Sequence, residues 1–258
     1  MSNESPIHVG LFVTCLADLF RPSVAFNSIK LLEQAGCRVD VPLQQSCCGQ
    51  PGYNTGDYAA TRPLARQLIE SFAQHPYVVA PSGSCAGMIK HHYPRLFEKD
   101  SIWHGRAEDL SQRTWEITSF LEELVGFTPE IAIEDERTYT YHDSCAGLRE
   151  LNVKNQPRQL LSSTGIEIQE MSQTEVCCGF GGTFCAKMPE ISEKMVSDKL
   201  NDALQTGADV LLGGDLGCLL NISGRASRLG QEIEVRHVVE VLAGDLHGPG
   251  IGEPEDSV

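Results

Sequence analysis

The chain has 258 residues, 41% of them apolar, and 35 acidic against 20 basic side chains give it a formal charge of −15. That balance opposes phosphate backbones and anionic lipid surfaces, so nucleic acid is excluded as a partner. Ten cysteines are too sparse for a secreted disulfide scaffold, and in a reducing compartment clustered thiols serve as metal ligands or redox groups.

Strand and helix patterns alternate along the chain. The opening "MSNESPIHVGLFVTCLADLF" has no basic start and only a short, interrupted apolar run. No apolar stretch reaches the ~18 residues of a spanning helix, so a cytoplasmic protein with no direct membrane span is expected. "HVGLFVTC" reads as a buried strand, and "SVAFNSIKLLEQAG" has helical spacing closed by a glycine. "RVDVPL" is β-like, "YAATRPLARQLIESFAQ" helical, "YVVAPSGSC" a strand, and "AGMIKHHYPRLF" the start of a helix. The second half follows suit with "TYTYHDSC", a helix through "PRQLLSST", the β-like "IEIQEM", a helix from about Pro189 to Leu204, "ADVLLGGDLGC" and "IEVRHVVEVLAG". Alternation of this kind predicts an α/β fold with mainly parallel sheets.

The halves also repeat one another. Cys15, Cys47 and Cys48 recur 130 residues later as Cys145, Cys177 and Cys178, and Cys85 recurs 133 later as Cys218. This predicts two duplicated βα units related by internal pseudo-symmetry, 1–128 and 129–246, followed by a disordered tail at 247–258. Cys15, Cys85, Cys145 and Cys218 each fall where a strand hands over to a helix, at the sheet edge where open α/β folds bind ligands.

In each unit a cysteine pair precedes a glycine, as "SCCGQP" and "VCCGFGG". Neighbouring side chains on an extended backbone point to opposite faces, so both sulfurs reach one object only if the chain turns there. Glycine supplies that turn through positive φ. Four thiolates select zinc or an iron–sulfur centre over hard metals. Structural zinc sites favour Cys-x-x-Cys knuckles, which are absent here, so spacing favours the larger centre and leaves zinc open. Three readings therefore stand: one cluster per repeat, a zinc-binding scaffold, or a thiol–disulfide relay. His142, in "YHDSC", is a candidate acid–base residue or a residue that orients its turn. Cys185 is either an extra ligand or a small apolar filler, and Cys37 reads as core. Glycines 179, 181 and 182 do not complete a dinucleotide loop, because Phe184 stands at its last position.

"FVTC", "SCCGQP", "PSGSC", "VCCGFGGTFCAKMPEIS" and "GCLLNISGR" together resemble the CCG-domain iron–sulfur oxidoreductases. Within that family they are most similar to the lactate utilization group, also described as a subunit of an L-lactate dehydrogenase complex. The resemblance runs from about His8 to Ala243. It implies oxidation of L-lactate to pyruvate without NAD, together with two companion subunits, one of them an iron–sulfur protein, and with lactate bound at a shared site. It further implies that Cys15, Cys47, Cys48 and Cys85, and likewise Cys145, Cys177, Cys178 and Cys218, each hold a [4Fe-4S]-type cluster. The chain would then be cytoplasmic, or membrane-associated through its partners. More distant relatives, the B subunit of heterodisulfide reductase and the iron–sulfur subunit of glycolate oxidase, are also implied. In the heterodisulfide version each motif ends in Cys-x-x-Cys; here Met88 and Asn221 hold that last position.

Overall fold

A computed structural model describes residues 5–129, 133 and 135–253. The chain divides into two compact units, Met1–Phe127 and Thr128–Val258.

The first unit runs β1 (His8–Leu11), α1 (Cys15–Phe20), α2 (Pro22–Gln34), β2 (Arg38–Asp40), α3 (Gln50–Asn54), α4 (Tyr58–Ser71), β3 (Tyr77–Ala80) and α5 (Gly83–Gly87). A π-helical turn at Met88–His92 then leads into α6 (Tyr93–Leu96), α7 (Ser101–Gln112), β4 (Thr114–Glu116) and α8 (Ile117–Ser119). Its strands lie in the order β2-β1-β3-β4, all parallel. Val9, Leu11, Val78 and Val79 are fully buried, as expected of strands covered by helices on both faces. α2 starts with Pro22 at its first turn, where the missing N–H costs nothing. It buries Val24, Asn27, Ser28, Leu31 and Leu32, an i, i+3, i+4, i+7, i+8 stripe.

The second unit runs β5 (Tyr139–His142), α9 (Cys145–Leu151), α10 (Asn155–Ser163), α11 (Phe184–Lys187), α12 (Pro189–Gln205), β6 (Val210–Gly213), α13 (Leu216–Leu229), β7 (Glu234–His237) and α14 (Val238–Leu242). Its sheet is β5-β6-β7, again parallel. "IEIQEM" shrinks to a single parallel bridge between Ile168 and Tyr139, at the place β2 takes in the first unit. The duplicated α/β architecture with parallel sheets is thus present.

Residues 247–253 correct the expectation of a disordered tail. Ile251 is buried, its N–H donates to Val235 O at 2.7 Å, and its carbonyl accepts from the Ser223 hydroxyl. Arg236 also donates to Gly248 O. Residues 254–258 lie outside the described ones.

Candidate metal centres

In the order β2-β1-β3-β4, the chain leaves β1 to one side and reaches β3 on the other, so the crevice above β1 and β3 is the topological switch point. Cys15 opens α1 after β1, and Cys85 sits in α5 after β3. Each helix starts from a polar cap: Ala17 N–H donates to Thr14 Oγ1 at 3.4 Å, and Cys85 N–H to Ser82 Oγ at 3.2 Å. Cys47 and Cys48 come in from the loop after β2. Gln45 fastens that loop to the end of β1, accepting from Val13 N–H at 2.7 Å and donating to Leu11 O at 3.4 Å.

The four thiols of the first unit form a chain. Cys15 Sγ lies 3.7 Å from Cys47 Sγ, and Cys48 Sγ lies 3.4 Å from Cys85 Sγ. Cys47 also interacts with Cys48, and no cysteine is in a disulfide. Gly49 has φ +81°, and its N–H folds back to donate to Cys47 Sγ at 3.4 Å. That is why a glycine follows the pair: the turn delivers both sulfurs and adds an amide. Hydrogen bonds from Cys15 and then Cys48 pull the Cys47 thiol below its ordinary range. The reciprocal bond to Cys47, together with burial, pushes Cys15 up.

The second unit repeats this arrangement. Cys145 opens α9 under the Ser144 cap, and Cys218 lies in the first turn of α13. Cys145, Cys177, Cys178 and Cys218 interact in the same order. Gly179 has φ +79° and donates to Cys177 Sγ at 3.3 Å. The Cys177 thiol is pulled down by Cys145 first, then by Cys178.

The second member of each pair is pinned through its carbonyl by the helix that follows the fourth cysteine. Tyr93 OH donates to Cys48 O at 2.8 Å, and Asn221 Nδ2 donates to Cys178 O at 2.9 Å. Asn221 therefore stands at the last motif position as a support for the backbone, while Met88 is buried apolar filling. The residue after each CCG reaches the one before the fourth cysteine: Gln50 Nε2 donates to Ser84 O at 3.3 Å, whereas the Phe180 ring lies on Gly217. A Cβ at Gly217 would come within 2.4 Å of that ring.

Behind the second centre the surroundings are polar. His142 ends β5 fully buried, with no hydrogen-bond partner at either ring nitrogen. Burial first, and then Lys199, depress its pKa to about 3, so it is a neutral imidazole. Asp143 is buried and held by Arg158 through two bonds of 2.9 and 3.0 Å; Ser144, not Asp143, caps the helix. Lys199 is 1% exposed on α12. It donates to Gln173 O and, at 3.3 Å, to Thr174 O, while Asp202 takes the Ser172 and Gln173 N–H groups, so α12 grips the loop that carries Cys177. Lys199, Asn221 and Tyr93 were not singled out from sequence as supports. The one available signal was a lysine inside the Val196, Leu200, Ala203 stripe.

Cys185 is half-buried, and its Sγ donates to Gly182 O at 3.1 Å. Cys37 is buried in the core.

The donors fit a soft metal centre. Four thiols per unit stand in a linked row, beside glycine amides and helix starts that favour anionic sulfur. Among the described residues, no helix is long and apolar enough to cross a membrane.

The cysteine-rich CCG domain matches residues 9–90 and 139–223, one copy per unit. The chain is 44% identical over 245 residues to lactate utilization protein A 1 of Bacillus mycoides, covering 94% of this chain and 99% of that one. It is 46% identical over 237 residues to lactate utilization protein A of Shouchella clausii, covering 92% and 98%. This chain belongs to the lactate utilization protein A family. Among solved structures, a hypothetical protein from Helicobacter pylori matches with a TM-score of 0.65 at 10% identity, over 98% of this chain and 50% of that one. At that identity, the likeness concerns the fold alone.

Proposed function

We propose that this chain serves lactate utilization as the iron–sulfur subunit of a multi-component system oxidising L-lactate to pyruvate. The observation that carries this is the linked row of four thiols, repeated in each unit: Cys15, Cys47, Cys48 and Cys85, then Cys145, Cys177, Cys178 and Cys218. Each set would hold one cluster, and a bound cluster supplies one-electron transfer. The protein's own part is to place the sulfurs, exclude water with buried Cys48, Cys85 and Cys178, and direct the Gly49 and Gly179 N–H groups at sulfur. Such N–H···S bonds stabilise electron-rich sulfur and so raise the potential.

Lactate gives up two electrons and two protons on becoming pyruvate. As the resemblance to the lactate utilization group implies, two companion subunits, one of them an iron–sulfur protein, would complete the path and share the lactate site in the cytoplasm. His142 is the residue of this chain proposed for the chemistry of the second centre. Anaerobic purification with iron, sulfide and zinc analysis tests the reading. Visible absorption from two centres is expected, with Cys47→Ser and Cys178→Ser each removing one. Variants that both keep the full spectrum would refute the ligand assignment.

A second reading has a specific observation behind it. One tetrahedral zinc with bonds of about 2.3 Å spaces its sulfurs about 3.8 Å apart, and two of the sulfur pairs in the first unit, Cys15–Cys47 and Cys48–Cys85, lie at 3.7 and 3.4 Å. Colourless protein with one zinc per unit would favour it.

A further inference from the structure

The two centres are built on one plan, but they differ at one buried position. Three residues before the first cysteine stands Phe12 in the first unit and His142 in the second. Both are fully buried, so an aromatic ring satisfies the packing there and an imidazole is not needed for it. If His142 only oriented its turn, one nitrogen would engage the backbone, yet neither does. The turn is already held by the Ser144 cap and by the pairing of Asp143 with Arg158. The nitrogen instead lies with the sulfurs: a ring nitrogen of His142 and the Sγ atoms of Cys178 and Cys218 are all within 4.8 Å of one another.

We infer that His142 is a ligand of the second centre, which is therefore held by a mixed cysteine–histidine set, while the first is held by thiolates alone. The inference rests on the reading that each unit carries a metal centre. Its consequence is functional asymmetry. With His142 among four ligands, one of the unit's four thiols stays unbound, and a neutral nitrogen in place of that thiolate raises the potential of an iron–sulfur centre, so the second centre is the stronger oxidant of the two.

Protein grown with ¹⁵N-histidine, purified anaerobically and chemically reduced, would be measured by pulsed electron paramagnetic resonance. A directly coordinated histidine nitrogen coupling is expected in the wild type and in Cys47→Ser, and its loss in His142→Phe, which copies the first unit, together with a downward shift in the second centre's midpoint potential. Signals from both centres with no such coupling would overturn the inference while leaving the clusters standing. Should His142→Phe not fold, Cys178→Ser decides: coupling that survives loss of the second centre also overturns it. If the protein holds zinc and no iron, the cluster reading fails separately. Zinc-edge X-ray absorption on Cys47→Ser then decides the inference, with a nitrogen at about 2.0–2.1 Å expected beside sulfur at about 2.3 Å and an all-sulfur shell refuting it.

Discussion

Replacing the glycine after each cysteine pair by alanine probes the turn on which both centres depend. Gly179 has φ +79°, and a Cβ there would lie 2.9 Å from Met195 Cβ and 2.9 Å from Ser192 O. The left-handed conformation alone costs a non-glycine residue about 1–2 kcal/mol. Because one of the opposing atoms is backbone and the other a Cβ, neither can swing away, and overpacking adds roughly 1–3 kcal/mol. Gly207 separates the two terms within the same unit: it has φ +73° and nothing within 4 Å of a built Cβ. Gly207→Ala should therefore cost about 1–2 kcal/mol, and Gly179→Ala roughly 2–5 kcal/mol. In the first unit, a Cβ at Gly49 (φ +81°) would press on the Thr61 methyl at 3.0 Å and meet Leu64 and Thr61 O at an ordinary 3.8 Å, and at Gly36 (φ +78°) it would meet nothing within 4 Å. A methyl can give by a few tenths of an ångström, so Gly49→Ala should exceed Gly36→Ala by less than Gly179→Ala exceeds Gly207→Ala. Urea unfolding of metal-free protein measures all four free of ligand linkage. Gly179→Ala indistinguishable from Gly207→Ala would refute the claim that helix α12 closes directly on the turn.

Other expectations follow from the supports around the sites. Tyr93→Phe leaves the Cys48 carbonyl without its 2.8 Å donor and should lower stability by about 1–3 kcal/mol, with weaker retention of metal in the first unit only; Asn221→Ala should do the same in the second, as read by metal release to a chelator. Arg158→Met strands the buried Asp143 carboxylate and should destabilise by about 3–5 kcal/mol, whereas the double change with Asp143→Asn should recover much of it. Asp135 is bonded by Arg137 and by Tyr139 OH, and Arg137 first of all pulls its pKa below the ordinary 3.8. A depressed carboxylate contributes stability above its unfolded pKa and loses it as pH falls through the folded one. Asp135→Asn should therefore be less stable at pH 7, and its stability should fall less steeply than the wild type's below about pH 4; a parallel acid limb in thermal melts would refute this.

The eight cysteines stand out because duplication printed them twice, three pairs 130 residues apart and the fourth 133, and a parallel α/β order tells where strand ends must lie. What could not be read was the wiring across long separations. Tyr93 meets Cys48 45 residues away, and Asn221 meets Cys178 43 away; neither link leaves a local pattern. Lys199 breaks an apolar stripe, but its partners, Gln173 and Thr174, lie 26 and 25 residues upstream. "TWE" at 114–116 was passed over as a strand because three residues carry no visible period, although it pairs in register with β3. "IEIQEM" failed for the opposite reason: it has the alternation, but only Ile168 finds a partner.

Duplication supplies two equal sites at the outset, and selection on either can then act without loss of the fold. The residues closest to the sulfurs kept their identities, since Cys-Cys-Gly and its amide bond recur with nearly the same geometry, 3.4 and 3.3 Å. Around them the chemistry parted. Phe12 corresponds in the repeat to His142, Val13 to Asp143, and Gln50 to Phe180. Each change in the second unit brings either a polar group behind the sulfurs or an aromatic cover over them. If each unit holds a metal centre, buried polar groups beside sulfur are a means of giving the two centres different potentials.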